Sequence, residues 1–141
     1  MSELLNKIII KAMPIIPKTI IKNVASRYIA GSYLQDAIDV TKQLNAEGGQ
    51  STIDVLGEFV TEKDRAMNEC GNSMKVLKAI HDSGVRGNLS IKPTSLGCGI
   101  DFDFGFKNVM TIMQQAKEYD TFVRIDMENI PYTDMTLKLY K

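Results

Sequence analysis

The segment Phe122-Val-Arg-Ile-Asp-Met-Glu-Asn-Ile-Pro-Tyr-Thr-Asp134 decides the predicted fold, because it joins a short strand directly to the start of a helix. Side chains alternate between the two faces of a strand, and here one face is charged and the other is apolar. The charged face holds Arg124, Asp126 and Glu128, and the apolar face holds Val123, Ile125 and Met127. We expect the charged face to look into water, a ligand site or a charge-lined interior, and the apolar face to meet a layer of helices.

Two earlier segments repeat this alternation. In Ser51-Thr-Ile-Asp-Val-Leu-Gly-Glu58, Asp54 and Glu58 lie on one face and Ile53 on the other. In Asn88-Leu-Ser-Ile-Lys-Pro-Thr94, Ser90 and Lys92 lie on the polar face and Leu89 on the apolar face. The three predicted strands start near residues 51, 88 and 121, which are separated by 37 and 33 positions. That separation is the length of a strand plus a crossover helix, so the chain predicts consecutive βα units.

Helical patterns fill the stretches around these strands. A helix of about Leu34 to Leu44 precedes the first strand, and a second is predicted between a capping box at Thr61 and a stop at Gly84, with some weakening at Gly71. The third helix is predicted to start after a cap at Asp103. Its apolar stripe comprises Phe106, Val109, Met110, Met113 and Ala116.

The position of the charges favours a barrel over an open sheet. An open doubly wound sheet covered on both sides needs apolar residues on both strand faces. A (βα)8 barrel instead gathers charged groups at the C-terminal ends of its strands, where the charges of this chain concentrate. The open sheet remains the alternative, and the long helical connections disfavour an antiparallel sheet.

Three motifs occur in a fixed order along the chain. They are Asp54-Val-Leu-Gly-Glu58, Ser90-Ile-Lys-Pro-Thr-Ser-Leu-Gly97, and Arg124-Ile-Asp-Met-Glu128 followed by Pro131-Tyr-Thr-Asp134. From about Tyr28 onward the sequence resembles the proline dehydrogenase family, whose members oxidise L-proline to 1-pyrroline-5-carboxylate with FAD and pass the electrons to a quinone. The resemblance implies a distorted (βα)8 barrel with FAD on its C-terminal face.

A closed barrel needs eight strands and about 250 residues, whereas this sequence of 141 residues supplies three predicted strands. We therefore expect an α/β N-terminal fragment that is inactive by itself. Its predicted parts are a helical arm, residues 1–50, and the first part of the barrel domain, residues 51–141.

The resemblance also implies roles for particular residues. Lys92 matches the lysine that binds the substrate carboxylate, and Asp126 matches an active-site aspartate that orients and neutralises the neighbouring cations. Met127 matches a position whose backbone contacts the flavin, and Glu58 one that pairs with a substrate-binding arginine from a later strand. The supporting polar interior comprises Asp54, Glu58, Arg124 and Glu128.

Charge and composition limit the other partners. The 17 basic and 17 acidic side chains balance, so no bulk attraction to nucleic acid is expected. Residues 1–30 carry a local charge of +4 on amphipathic segments broken by Pro14 and Pro17. This arm could pack on the outside of the barrel or contact an anionic membrane surface. The protein is expected in the cytoplasm, peripheral at the inner face of the membrane if the arm contacts lipid.

Other site types have little support in the sequence. Cys70 and Cys98 form no metal-binding motif and are expected to be reduced thiols, so no metal is predicted. The single histidine, His81, falls near a helix C-terminus and has no expected catalytic role. Two alternatives to proline oxidation remain open at this point: a non-enzymatic membrane-surface or interaction module, and a different (βα)8 enzyme acting on a small carboxylate.

Overall fold

A computed structural model describes residues 30, 31 and 33–141. The predicted basic arm up to residue 29 lies outside the described residues. Among the described helices, none is long and apolar enough to cross a membrane. The elements are α1 (Leu34–Ala46), β1 (Ser51–Asp54), α2 (Lys63–Ser83), β2 (Gly87–Ile91), α3 (Phe102–Glu118), β3 (Val123–Ile125), a 3-10 turn (Ile130–Tyr132) and α4 (Thr133–Tyr140).

The three strands form one parallel sheet in the order β1-β2-β3. Asp54, Ser90 and Arg124 occupy one row of the register. Ile53, Leu89 and Val123 occupy the row before it. Because registered residues of parallel strands project to the same face, the sheet has one polar and one apolar face, and the predicted alternation is confirmed.

The apolar face of the sheet forms the core together with the helices. Buried residues from all four helices join Leu89 and Ile91 in a single cluster. The helical contributors include Ile38, Cys70, Val76, Leu77, Ile80, Val109, Ile112, Ala116 and Leu139. The helix layer therefore leaves the opposite, polar face of the sheet available for a site.

The ends of α2 differ in part from the prediction. Glu62 occupies the N-cap position without a side-chain hydrogen bond, so the predicted capping box at Thr61 is wrong. The C-terminal end is confirmed, because Gly84 has a φ of 63° and forms a left-handed cap. The helix runs unbroken through Gly71, since packing of its apolar face outweighs the low helix propensity of one glycine.

The N-terminal cap of α3 is Asp101 rather than Asp103. The Asp101 carboxylate accepts a hydrogen bond of 3.1 Å from the backbone N–H of Phe104. Asp103 lies within the first turn, where its negative charge is still favourable to the helix dipole.

The apolar stripe of α3 is also rotated from the prediction. The buried residues are Gly105, Val109, Ile112 and Ala116, whereas Phe106, Met110 and Met113 are exposed. Gly105 explains the rotation, because a Cβ atom at this position would lie 2.4 Å from the backbone nitrogen of Cys98. The helix thus docks through its glycine, and the larger apolar side chains turn outward.

Hydrogen bonds attach α1 to the start of the sheet. The Thr41 and Ser51 hydroxyls are 2.8 Å apart, and the Asn45 side chain accepts from the Arg86 backbone N–H at 2.7 Å. In return, the Arg86 guanidinium donates to the Asn45 carbonyl at 3.0 Å. These contacts join α1 to the sheet, although the predicted boundary at residue 50 assigns it to the arm.

Candidate functional site

Three polar side chains meet where the parallel strands end. Asp54 is the last residue of β1, Lys92 follows the end of β2, and Asp126 follows the end of β3. The Lys92 ammonium donates a hydrogen bond to Asp54 Oδ2, while Asp126 Oδ2 lies 3.7 Å from Lys92 Nζ. Neighbouring parallel strands end at a shared edge, which is why residues so distant in sequence form one cluster.

Lys92 is the central cation of this cluster. Its side chain is only 13% exposed. Burial lowers the pKa of the Lys92 ammonium, but the Asp54 hydrogen bond and the charges of Asp54, Asp126 and Glu58 raise that pKa above 10.5 overall. Lys92 therefore carries a full positive charge at neutral pH.

The Lys92 ammonium also has spare hydrogen-bonding capacity. A lysine ammonium has three N–H donors, and Asp54 takes one of them. A distance of 3.7 Å to Asp126 is too long for a hydrogen bond. Within the described part of the chain no further acceptor contacts Nζ, so the remaining donors can bind a ligand.

A cavity of about 360 Å³ opens beside Lys92. Its lining residues are Glu58, Phe59, Lys92, Asp126, Met127, Glu128 and Asn129. This cavity brings together five of the residues predicted for the site: Lys92, Asp126, Met127, Glu58 and Glu128. Asp54 does not line the cavity but accepts a hydrogen bond from Lys92, which does. Sequence reasoning missed Phe59 and Asn129, which lie in loops without a periodic pattern.

The expected direction of the Met127 side chain is wrong. The strand pattern placed Met127 on the apolar face toward the helices, but the residue is 56% exposed and lines the cavity. The reason is that β3 ends at Ile125, so strand alternation no longer fixes the side chains that follow. The apolar Met127 side chain is thereby available at the mouth of the site.

Arg124 is the predicted residue that the structure does not bring to the cavity. Its register with Ser90 places it on the polar face. However, the Arg124 side chain is exposed and lies along a separate groove between β3 and the ends of α3 and α4. A role in the supporting polar interior remains a prediction for this arginine.

Hydrogen bonds of Glu128 and Thr94 connect the three loops of the site. Glu128 accepts hydrogen bonds from the Thr94 hydroxyl and, at 2.9 Å, from the Thr94 backbone N–H. The Thr94 hydroxyl oxygen also accepts a hydrogen bond of 3.0 Å from the Phe59 backbone N–H, and Thr94 is 1% exposed. These hydrogen bonds thus connect the loops after β1, β2 and β3. Thr94 stands in the second motif, but sequence alone could not show its partners.

Two further polar groups complete the cluster. The Ser90 hydroxyl donates to Asp126 Oδ1 at 2.5 Å, and Ser90 is 3% exposed. Asp54 Oδ1 is buried and accepts no hydrogen bond from the described residues. This oxygen is an available acceptor, because buried carboxylate oxygens are normally paired.

Other candidate sites find no support in the described residues. No group of His, Cys, Asp and Glu side chains there could hold a metal ion. His81 stacks on Tyr119 with ring centroids 4.4 Å apart and does not line the Lys92 cavity. Both cysteines are buried free thiols.

Residues 37–141 match the family model for proline dehydrogenase. The chain belongs to the proline dehydrogenase family. Every predicted site residue lies within the matched segment, and so do Ser90 and Thr94.

Relatives in this family align over most of the chain. Proline dehydrogenase from Deinococcus radiodurans is 33% identical over 122 residues, covering 84% of this chain and 39% of the relative. Proline dehydrogenase 1 from Bacillus subtilis is 32% identical over 117 residues, covering 83% of this chain and 39% of the relative. The chain thus spans about two fifths of the length of these relatives.

A solved structure gives the same fold. The crystal structure of proline utilization A from Bdellovibrio bacteriovorus inactivated by N-propargylglycine aligns with a TM-score of 0.77. It is 18% identical to this chain, and the alignment covers 87% of this chain and 15% of the other. The likeness supports the α/β arrangement of parallel strands and helices.

Proposed function

We propose that the complete protein carrying this chain is an FAD-dependent proline dehydrogenase that oxidises L-proline to 1-pyrroline-5-carboxylate. The observation that carries the proposal is the Lys92 ammonium, a partly buried cation with free donors at the C-terminal edge of the sheet. Family membership supports this reaction over a non-enzymatic interaction module or another reaction on a small carboxylate.

Lys92 binds the carboxylate of proline in this proposal. An ammonium with unused N–H donors offsets the lost hydration of a buried carboxylate by charge-assisted hydrogen bonds. Asp54 fixes the position of the ammonium by a direct hydrogen bond, and Asp126 adds a second negative charge 3.7 Å away. In this proposal the arginines that later strands would supply balance the excess negative charge of the two aspartates. Asp126 acts by orientation and charge rather than by taking a proton.

The residues around the cavity fit one side of a flavin. Met127 is 56% exposed and Phe59 is 42% exposed, and both line the cavity next to Lys92. Exposed apolar surface beside a bound carboxylate suits a flat ring system, and Met127 is the residue proposed to contact it. When bound, FAD would supply the acceptor for the hydride that leaves C5 of proline and would pass the electrons to a quinone. The substrate also loses its ring N–H proton, which leaves a C=N bond in the product.

The three described strands would form one wall of a (βα)8 barrel. Their polar residues gather at the C-terminal strand ends, as in such barrels. In a complete barrel, later strands would supply the opposite wall, the arginine partner proposed for Glu58 and the remaining contacts to FAD. The helical arm of residues 1–50 and the barrel part of residues 51–141 remain the proposed organisation.

A peripheral membrane location is proposed for the complete enzyme. Its quinone acceptor would reside in the membrane, and the +4 charge of residues 1–30 favours contact with anionic lipid. The protein would then work in the cytoplasm, at the inner face of the membrane.

The test is proline-dependent reduction of a quinone analogue by the purified complete protein. We expect a yellow flavoprotein that reduces the dye when L-proline is added. Residues 1–141 alone should be colourless and inactive, because a single wall cannot enclose flavin and substrate. Turnover of another small carboxylic acid but not proline by the complete protein would contradict the proposal.

A further inference from the structure

The two oxygens of Asp126 have different partners. Oδ1 accepts the Ser90 hydroxyl at 2.5 Å, and Oδ2 faces Lys92 Nζ at 3.7 Å. A carboxylate can only accept, so the serine must be the donor. Asp126 is therefore held by a neutral hydroxyl and not by the cation that lies closest to it.

Ser90 is well placed to hold a side chain firmly. It lies in the central strand β2, it is 3% exposed, and its neighbours in the register are Asp54 and Arg124. The backbone of Asp126 is fixed separately, because its N–H donates to the Ile91 carbonyl at 2.9 Å. The Ser90 hydrogen bond is thus the contact that sets the direction of the Asp126 carboxylate.

We propose that Ser90 is a positioning residue that holds Asp126 back from Lys92 and so keeps the Lys92 N–H donors free for a carboxylate ligand. Direct ion pairs have N···O distances of about 2.7 to 2.9 Å. At 3.7 Å, Asp126 contributes its charge without occupying a donor, whereas Asp54 occupies one. The inference rests on the proposed function in one respect, namely that the carboxylate is that of proline.

Loss of the Ser90 hydroxyl should allow Asp126 to form a direct ion pair with Lys92. Ser90 is the hydroxyl that contacts the Asp126 side chain in the described structure, and Lys92 Nζ is the donor next to it. In Ser90→Ala, Asp126 would turn toward Lys92 and take a second N–H. A substrate carboxylate would then find one free Lys92 N–H donor instead of two.

The test combines a distance with a kinetic measurement on the complete protein. In a crystal structure of Ser90→Ala, the distance from Lys92 Nζ to the nearer Asp126 oxygen should fall to about 3 Å. The KM for proline should rise roughly tenfold with a much smaller change in kcat, because the lost binding involves one charge-assisted hydrogen bond. Ser90→Thr, which keeps the hydroxyl, should restore both values.

Matched variants separate positioning from loss of stability. Ser73→Ala removes another serine that is 3% exposed, on α2, and should leave KM unchanged. If Ser90→Ala folds poorly, Ser90→Cys provides a weaker donor of similar size and should shift the distance and KM in the same direction. A Lys92–Asp126 distance that stays at 3.7 Å, or a KM equal to that of the wild type, overturns the proposal. The distance decides the role of Ser90 even if the protein does not oxidise proline.

Discussion

The substitution Lys92→Met tests the binding role of the central cation. Methionine keeps an unbranched apolar side chain and removes the ammonium, so packing along the stem changes little. A hydrogen bond to a charged group contributes about 1.5 to 3 kcal/mol, which corresponds to a rise in the KM for proline of roughly 10- to 150-fold.

The assay is steady-state dye reduction by the complete protein at a series of proline concentrations, with flavin content and thermal unfolding measured on the same preparations. The matched control is Lys78→Met, because Lys78 also pairs with an aspartate, Asp82 at 2.6 Å, but lies on the exposed face of α2. We expect Lys78→Met to behave as the wild type and Lys92→Met to retain its flavin. A KM for proline that is the same in all three proteins would refute the assignment of Lys92.

Four further predictions concern stability, reactivity and location. The pKa of Lys92 in the folded state is raised above 10.5, so the stability that its pair with Asp54 contributes should be complete below pH 10.5 and be lost as the pH rises through the raised pKa. The free energy of unfolding should therefore fall more steeply at alkaline pH for the wild type than for Lys92→Met, and parallel stability curves would count against this pair. Burial, and then the Glu128 charge, raise the pKa of the Cys98 thiol from 9.0 to about 11. Alkylation of this thiol at pH 8 should therefore be at least roughly 100-fold slower in the folded protein than in the urea-unfolded protein, and similar rates would contradict the burial of Cys98. In urea unfolding, Gly105→Ala should destabilise the protein by about 1 to 3 kcal/mol, because the new Cβ atom would clash with Cys98. Gly71→Ala should stabilise it by about 0.5 to 1 kcal/mol, because a Cβ atom there meets no other atom within 4 Å. Equal unfolding midpoints for the two variants would disprove the close docking of α3. Deletion of residues 1–30 should reduce co-sedimentation with anionic liposomes, and unchanged sedimentation would favour an arm that packs on the protein instead.

The faces of the strands could be predicted from the sequence because alternation is a property of the backbone. Asp54 and Ser90 therefore fall on the polar face as expected, and Ile53 and Leu89 on the apolar face. The ends of the strands could not be predicted in this way. The early end of β3 at Ile125 depends on its neighbours in the sheet, and it reversed the expected direction of Met127.

The rotation of α3 and the polar contacts of the site could not be predicted from the hydrophobic pattern of the sequence. The stripe of α3 was predicted from hydrophobic side chains, but the close approach of Gly105 to Cys98 decides which of them are buried. Lys92 and Asp126 could be selected by resemblance to a family. The partners that orient them could not, because Ser90 is 36 residues from Asp126 and becomes its neighbour only through the parallel pairing of β2 and β3.

The proposed binding of the substrate carboxylate by Lys92, at the C-terminal edge of the sheet, can be tested directly. The most direct measurement is a crystal structure of the complete protein with a proline analogue that keeps the carboxylate and cannot be oxidised. We expect a carboxylate oxygen about 2.7 to 3 Å from Lys92 Nζ, with Asp54 still hydrogen-bonded to the ammonium and Asp126 still hydrogen-bonded to Ser90. An analogue bound with its carboxylate away from Lys92 would contradict it.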